Sequence, residues 1–171
     1  MSRKQSSRVI LLSGTPGVGK TTISDLLRLK GYPVFNLNDF IIKHGLYFGY
    51  DHSRESVIID ENVLKTKIEK ELEQFPELLF IEGHTSEIVP MEFVKFAFIL
   101  RCKPSILRER LSLTRDYSYS KIEENVQAEI MDECLIAMQE QLPISLILEL
   151  DTSDIIPEKI VEQIISHISK T

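Results

Sequence analysis

Apolar residues along this 171-residue chain alternate between two spacings. Short, nearly unbroken runs at Val9 to Ser13, Pro33 to Leu37, Leu78 to Ile81, Phe93 to Leu100 and Ser145 to Leu150 have the length and composition of strands. The run from Phe93 is almost continuously apolar, which predicts a strand covered on both faces. Between these runs the spacing changes to three and four residues. Ile23, Leu26, Leu27 and Leu29 predict a helix behind the first strand, and Val63, Leu64, Ile68 and Leu72 a second from an Asp60 cap to about Gln74. Ile122, Val126, Ile130 and Ala137 predict one long helix through Gln141, and Ile160, Ile164, Ile165 and Ile168 a last one opened by Pro157. Asn38 and Asp39 offer caps for a short helix through Ile42, and Pro104 suits the first turn of a helix to about Leu113. Strands alternating with helices predict one α/β domain, a five-stranded parallel sheet with helices on both faces.

Composition agrees with this reading and narrows it. With 43% apolar and 27% charged residues the chain can bury a globular core. Met1 to Ser7 is polar and basic, the apolar stretch behind it spans only Val9 to Leu12, and no run approaches the roughly 18 residues of a membrane span. A cytoplasmic protein without membrane association is expected. Cys102 and Cys134 lack any C-x-x-C spacing and the histidines are scattered, so reduced, structural thiols are expected rather than a metal site. The net charge of -6 argues against strong direct nucleic-acid binding. It is also uneven: residues 1 to 120 carry 17 basic against 15 acidic side chains, residues 121 to 171 carry 3 against 11. Such an acidic third is a solvated helix face or a surface that attracts a basic partner.

The chemistry begins where the first strand ends. Gly14-Thr15-Pro16-Gly17-Val18-Gly19-Lys20-Thr21 satisfies G-x-x-x-x-G-K-S/T and lies between a strand and a helix, the context that makes it a P-loop. Its glycines let backbone N–H groups face an anion, and the following helix adds the positive end of its dipole. ATP and Mg²⁺ are the expected ligands. Lys20 bridges the β and γ phosphates in such a loop, Thr21 offers a hydroxyl to Mg²⁺, and Thr22 reaches the α phosphate. The metal's water shell needs an acidic residue at the end of a neighbouring strand, and Glu82 closes the run Leu78 to Ile81. His84 follows at the carboxyl edge of the sheet, where ligands bind in open α/β folds. Taken alone it reads as a surface histidine.

Guanine-nucleotide switches are excluded because N-K-x-D is absent and Glu82-Gly83-His84 stands where D-x-x-G would be. The chain resembles the adenylate kinase isoenzyme 6 family, archaeal and eukaryotic kinases also linked to small-subunit ribosome maturation. The resemblance runs from Arg8 to Thr171. It is carried by GTPGVGKTT at Gly14 to Thr22, LYFGYD at Leu46 to Asp51 with Asp60-Glu61, and Glu82 to His84. Leu100-Arg101, TRDY at Thr114 to Tyr117 and KIEENVQAEI at Lys121 to Ile130 add to it. It implies a nucleoside-monophosphate-binding segment over 37–60 and a lid over 114–124, with Arg115 as the lid arginine and the acid-x-His pair Glu82 and His84 in nucleotide turnover.

Ordinary adenylate kinases grip the acceptor phosphate with an arginine after the third strand, and this chain has none between Glu82 and Leu100. Lys43 and Arg54 lie in the acceptor segment with Asp39, Tyr47 and Tyr50, the tyrosines either facing the base or packing. The resemblance implies a nucleoside monophosphate kinase that transfers the γ-phosphate of ATP to AMP or another monophosphate, acting as a monomer or weak homodimer. It also implies ATPase activity and a role in small ribosomal subunit biogenesis and rRNA processing, through a basic small-subunit ribosomal protein. An assembly ATPase with little kinase role is the alternative. A small-metabolite kinase of shikimate-kinase type is a third, but its aspartate pair and glycine cluster are matched by neither Asn36-Leu37-Asn38-Asp39 nor Glu82-Gly83-His84.

Overall fold

A computed structural model describes residues 7–52, 56–75, 77–114 and 116–170. Its centre is a five-stranded parallel sheet in the order β2-β5-β1-β6-β7, formed by Val34–Asn36, Leu79–Glu82, Val9–Ser13, Val94–Arg101 and Ile147–Asp151. β1 lies in the middle with every residue buried. Its alternation divides the core in two. Val9 and Leu11 pack with Ile81 and Ile99 against α2 (Leu37–Lys43), α3 (Glu61–Gln74) and α6 (Glu133–Gln141). Ile10 and Leu12 pack with Phe80 and Phe98 against α1 (Lys20–Leu29), α4 (Pro104–Thr114), α5 (Tyr119–Ile130) and α7 (Pro157–Ser169). A strand buried on both faces has no polar side to show, which is why these runs read as continuously apolar.

From β1 the chain travels to β2 at one edge, and after β5 it crosses to β6 on the other side of β1. The carboxyl ends of β1 and β5 therefore open a crevice at a topological switch point. At its rim Asn36 leaves β2 and caps α2, accepting from Asp39 N at 2.9 Å, so helix α2 starts at Leu37, two residues earlier than an Asn38 cap would place it.

One expectation from apolar spacing fails for an identifiable reason. The long helix through Gln141 is two helices, because Asp132 takes φ 57° and ends the first. Ile130, the last residue of α5 before that break, is 50% exposed. Segment 37–60 contains, beyond α2, an antiparallel hairpin of β3 (Tyr47–Asp51) and β4 (Ser56–Ile59) set apart from the main sheet. Its Tyr47, Phe48, Tyr50, Val57 and Ile58 are all exposed, so no buried face imposes the alternation that marks a strand. Leu29 and Val63, each assigned to a buried helical stripe, face solvent.

Candidate active site

The P-loop occupies the turn from β1 into α1. Gly14 has φ 135°, and a Cβ there would lie 2.4 Å from Leu100 O, so the loop passes too close to β6 for any side chain. Gly19, at φ 107°, is the N-cap of α1 and supplies no capping side chain, which leaves the first-turn N–H groups to an anion. Lys20 donates through Nζ to Gly14 O at 2.5 Å and Thr15 O at 2.9 Å, folded back over the loop it is expected to serve.

Below it, Thr21 Oγ1 donates to Glu82 Oε1 at 2.9 Å. Glu82 is 3% exposed, and its Oε2 has no hydrogen-bond partner among the described residues. A buried carboxylate oxygen without a donor costs on the order of 1–3 kcal/mol or more, and a hydroxyl and a carboxylate are the hard oxygen donors that Mg²⁺ and its water shell take. These residues fit that ion.

His84 opens on the cleft, its ring exposed to solvent on that side. Crowding by protein atoms, and after it the charges of Lys20 and Lys121, push it from the ordinary 6.5 down to about 4. The imidazole is therefore neutral at physiological pH. Cys134 at the start of α6 donates weakly to His84 O, 3.8 Å away, and burial raises both Cys134 and Cys102, which stand as free thiols.

A cleft of about 730 Å³ runs over this floor. On the P-loop side it is lined from Pro16 to Ile23, on one wall by Asn36, Asn38 and Asp39, and on the opposite wall by Arg110, Tyr117, Thr152, Ile155, Pro157 and Ile160. Apart from Tyr117, which falls in segment 114–124, that second wall was missed in the sequence, where its residues lie in two segments with no shared motif. Arg110 donates to Thr152 O at 2.7 Å, Ser153 O at 3.3 Å and Thr152 Oγ1 at 3.2 Å, and the Thr152 hydroxyl donates to Val18 O at 2.6 Å. The guanidinium and the loop after β7 are thereby fixed to the P-loop itself. An open trough of about 470 Å³ along α7 lies away from this chemistry.

Of the residues singled out from sequence, Pro16, Gly17, Val18, Gly19, Lys20, Thr21, Thr22, Asp39, Glu82 and His84 meet in the cleft. Gly14 and Thr15 lie behind its lining. Lys43 is exposed at the end of α2, and Tyr47 and Tyr50 stand half exposed on β3, outside the lining. Arg54 and Arg115 fall outside the described residues.

Comparison with known proteins agrees with this construction. The AAA domain family matches residues 10–132. A protein of Methanocaldococcus jannaschii bearing the name "Putative adenylate kinase" is 37% identical over 160 residues, 93% of this chain and 85% of that protein. The adenylate kinase isoenzyme 6 homolog FAP7 of Saccharomyces cerevisiae is 38% identical over 124 residues, 71% of this chain and 61% of that protein. Among solved structures, shikimate kinase from Bacteroides thetaiotaomicron superposes with a TM-score of 0.61 at 17% identity, covering 94% of this chain and 98% of its own, a likeness of fold alone.

Proposed function

We propose, for a chain that belongs to the adenylate kinase isoenzyme 6 family and so to the P-loop phosphotransferases, that it moves the γ-phosphate of ATP to AMP and hydrolyses ATP when no acceptor is present. The observation that carries this is the joined floor of the cleft. A P-loop with open helix N–H groups, its lysine, and the Thr21–Glu82 pair with one unpartnered carboxylate oxygen meet at one point. When bound there by Thr21 and Glu82, Mg²⁺ supplies charge neutralisation to the β and γ phosphates.

The chain's own residues do the rest. Lys20 leaves the carbonyls of Gly14 and Thr15 for the β and γ phosphates, and Thr22 takes the α phosphate. Arg110, Tyr117, Ile155, Pro157 and Ile160 form the adenine wall, with a guanidinium and apolar surface suited to a flat base. Arg115 closes with the lid segment 114–124 and stabilises charge as it shifts between donor and acceptor. Segment 37–60, which has Asp39 in the cleft and carries Lys43, Tyr47, Tyr50 and Arg54 in its sequence, receives the acceptor monophosphate. His84, neutral, orients an attacking water by hydrogen bonding without taking up a proton at the start.

The test is phosphoryl transfer from ATP to AMP, GMP, CMP and UMP, with hydrolysis measured alone beside it. Transfer to AMP exceeding both the other acceptors and hydrolysis is expected. Hydrolysis without transfer to any monophosphate would refute the kinase reading and leave the second one. That second reading is a nucleotide-driven assembly factor for the small ribosomal subunit, supported by the acidic segment 121–171, whose 11 carboxylates against 3 cations suit a basic ribosomal protein.

A further inference from the structure

Behind the phosphate loop lies a buried polar network that the chemistry above does not use. Thr15 is 1% exposed, lies outside the cleft lining, and donates through Oγ1 to Glu129 Oε2 at 2.5 Å. Glu129, at the last turn of α5, is 4% exposed. Its other oxygen accepts from Arg101 Nε at 2.9 Å and from Cys102 N at 3.0 Å. Arg101, at the end of β6, also donates to Glu149 on β7 at 2.6 Å, to the Glu129 carbonyl at 3.2 Å, and to Asp132 at the break between α5 and α6.

Each of these contacts is specific in direction. A carboxylate set behind an anion-binding loop would repel phosphate, but the guanidinium of Arg101 neutralises it, and Asp132 and Glu149 are half exposed, so water screens their charge. What reaches the loop is therefore a hydrogen bond rather than a field. It falls on the residue whose carbonyl accepts from Lys20 Nζ at 2.9 Å and from Val18 N at 3.4 Å. Fixing the Thr15 side chain fixes both.

We propose that Arg101 and Glu129 are positioning residues for the P-loop: through the Thr15 hydroxyl they hold the phosphate cradle in its anion-binding shape before nucleotide arrives. The proposal rests on the nucleotide reading of the cleft and adds the means by which the cleft is set. A preformed cradle serves ATP and the transition state alike, so its loss removes uniform binding: KM for ATP rises while kcat at saturation holds. A general structural defect does the reverse, lowering kcat with the folded fraction and leaving KM unchanged.

The experiment measures phosphoryl transfer to AMP and calorimetric binding of ADP in wild type, Thr15→Val, Glu129→Ala, Glu129→Gln and the Thr15→Val/Glu129→Ala double variant. KM for ATP and Kd for ADP should rise about tenfold or more in Thr15→Val and in Glu129→Ala, with kcat within about twofold. The double variant should be no worse than the worse single, because both remove one interaction. Glu129→Gln should recover most of the affinity, since its amide can accept from Arg101 and Cys102 while donating to Thr15 Oγ1. Glu129→Ala strips partners from Arg101 and can fail to fold; Thr15→Val keeps Arg101 and Glu129 paired and decides the matter alone. Unchanged KM in a folded Thr15→Val, or losses that multiply in the double variant, would overturn the proposal. A wild-type chain that binds no adenine nucleotide would overturn the nucleotide reading itself.

Discussion

Replacing Thr152 by valine removes one hydroxyl at nearly constant volume, at the point where the loop after β7 is joined to the P-loop. Thr152 is 6% exposed, its Oγ1 donates to Val18 O at 2.6 Å, and the same oxygen accepts from Arg110 Nη1 at 3.2 Å. Arg101 O, 3.0 Å from that hydroxyl, keeps the Thr152 N–H at 2.9 Å and loses nothing essential. Arg110 likewise keeps the carbonyls of Thr152 and Ser153. The loss is thus one buried donor on the Val18 carbonyl and one weaker contact. Removing such a partner costs about 1–3 kcal/mol. In a chain of this length each kcal/mol lowers Tm by about 2–4 °C. Differential scanning calorimetry of the nucleotide-free protein should therefore show Tm for Thr152→Val lower by roughly 2–12 °C. A Tm within about 1 °C of wild type, measured in a variant whose circular dichroism is native, would refute this account of how the loop after β7 is tied to the P-loop.

Lys20→Ala should lose nearly all phosphoryl transfer with an unchanged melting profile, and a folded variant that retains most of its rate would sink the P-loop assignment. His84→Ala should cut ATP hydrolysis by roughly tenfold or more while ATP affinity stays within a few-fold; transfer to AMP should suffer less, because AMP brings its own nucleophile, and equal losses in both reactions would mean a general structural role. The His84 ring should titrate near 4 by NMR, and Lys20→Met should raise that midpoint because Lys20 is the charged group that depresses it most. Between about pH 6.5 and 4 the unfolded chain binds a proton that the folded ring refuses, so stability falls as acid is added through that window. His84→Gln should flatten this slope in denaturant titrations, and an unaltered slope would refute the depressed value.

The parts of this molecule legible in sequence are those whose determinants are neighbours in the chain. Eight consecutive residues from Gly14 contain the turn, the glycines and the lysine, and the strand before them has no polar side because both its faces are covered. Glu82 was legible for the same reason, an acid at the end of an apolar run. The hairpin from Tyr47 to Ile59 was not, since neither face is buried and nothing enforces alternation. The break at Asp132 carries no glycine or proline, only an aspartate, one of the few residues that accept the left-handed conformation without much strain.

The brace behind the loop shows what kind of signal was present and unread. Ile122, Val126 and Glu129 are spaced four and three apart on the buried stripe of α5, so a carboxylate occupies a position that the helix puts into the core. Such a group has to find cations or donors there, because an unpaired buried charge is too costly to keep. Arg101, closing an apolar strand, states the complementary demand. Their separation of 28 residues hides the pair, and Thr15, 114 residues from Glu129, hides its consequence. A charged residue on an apolar stripe is thus a statement that a partner exists, without saying where. Here the partner on one side is an arginine and on the other a threonine of the P-loop, which is how α5 comes to touch the phosphate loop.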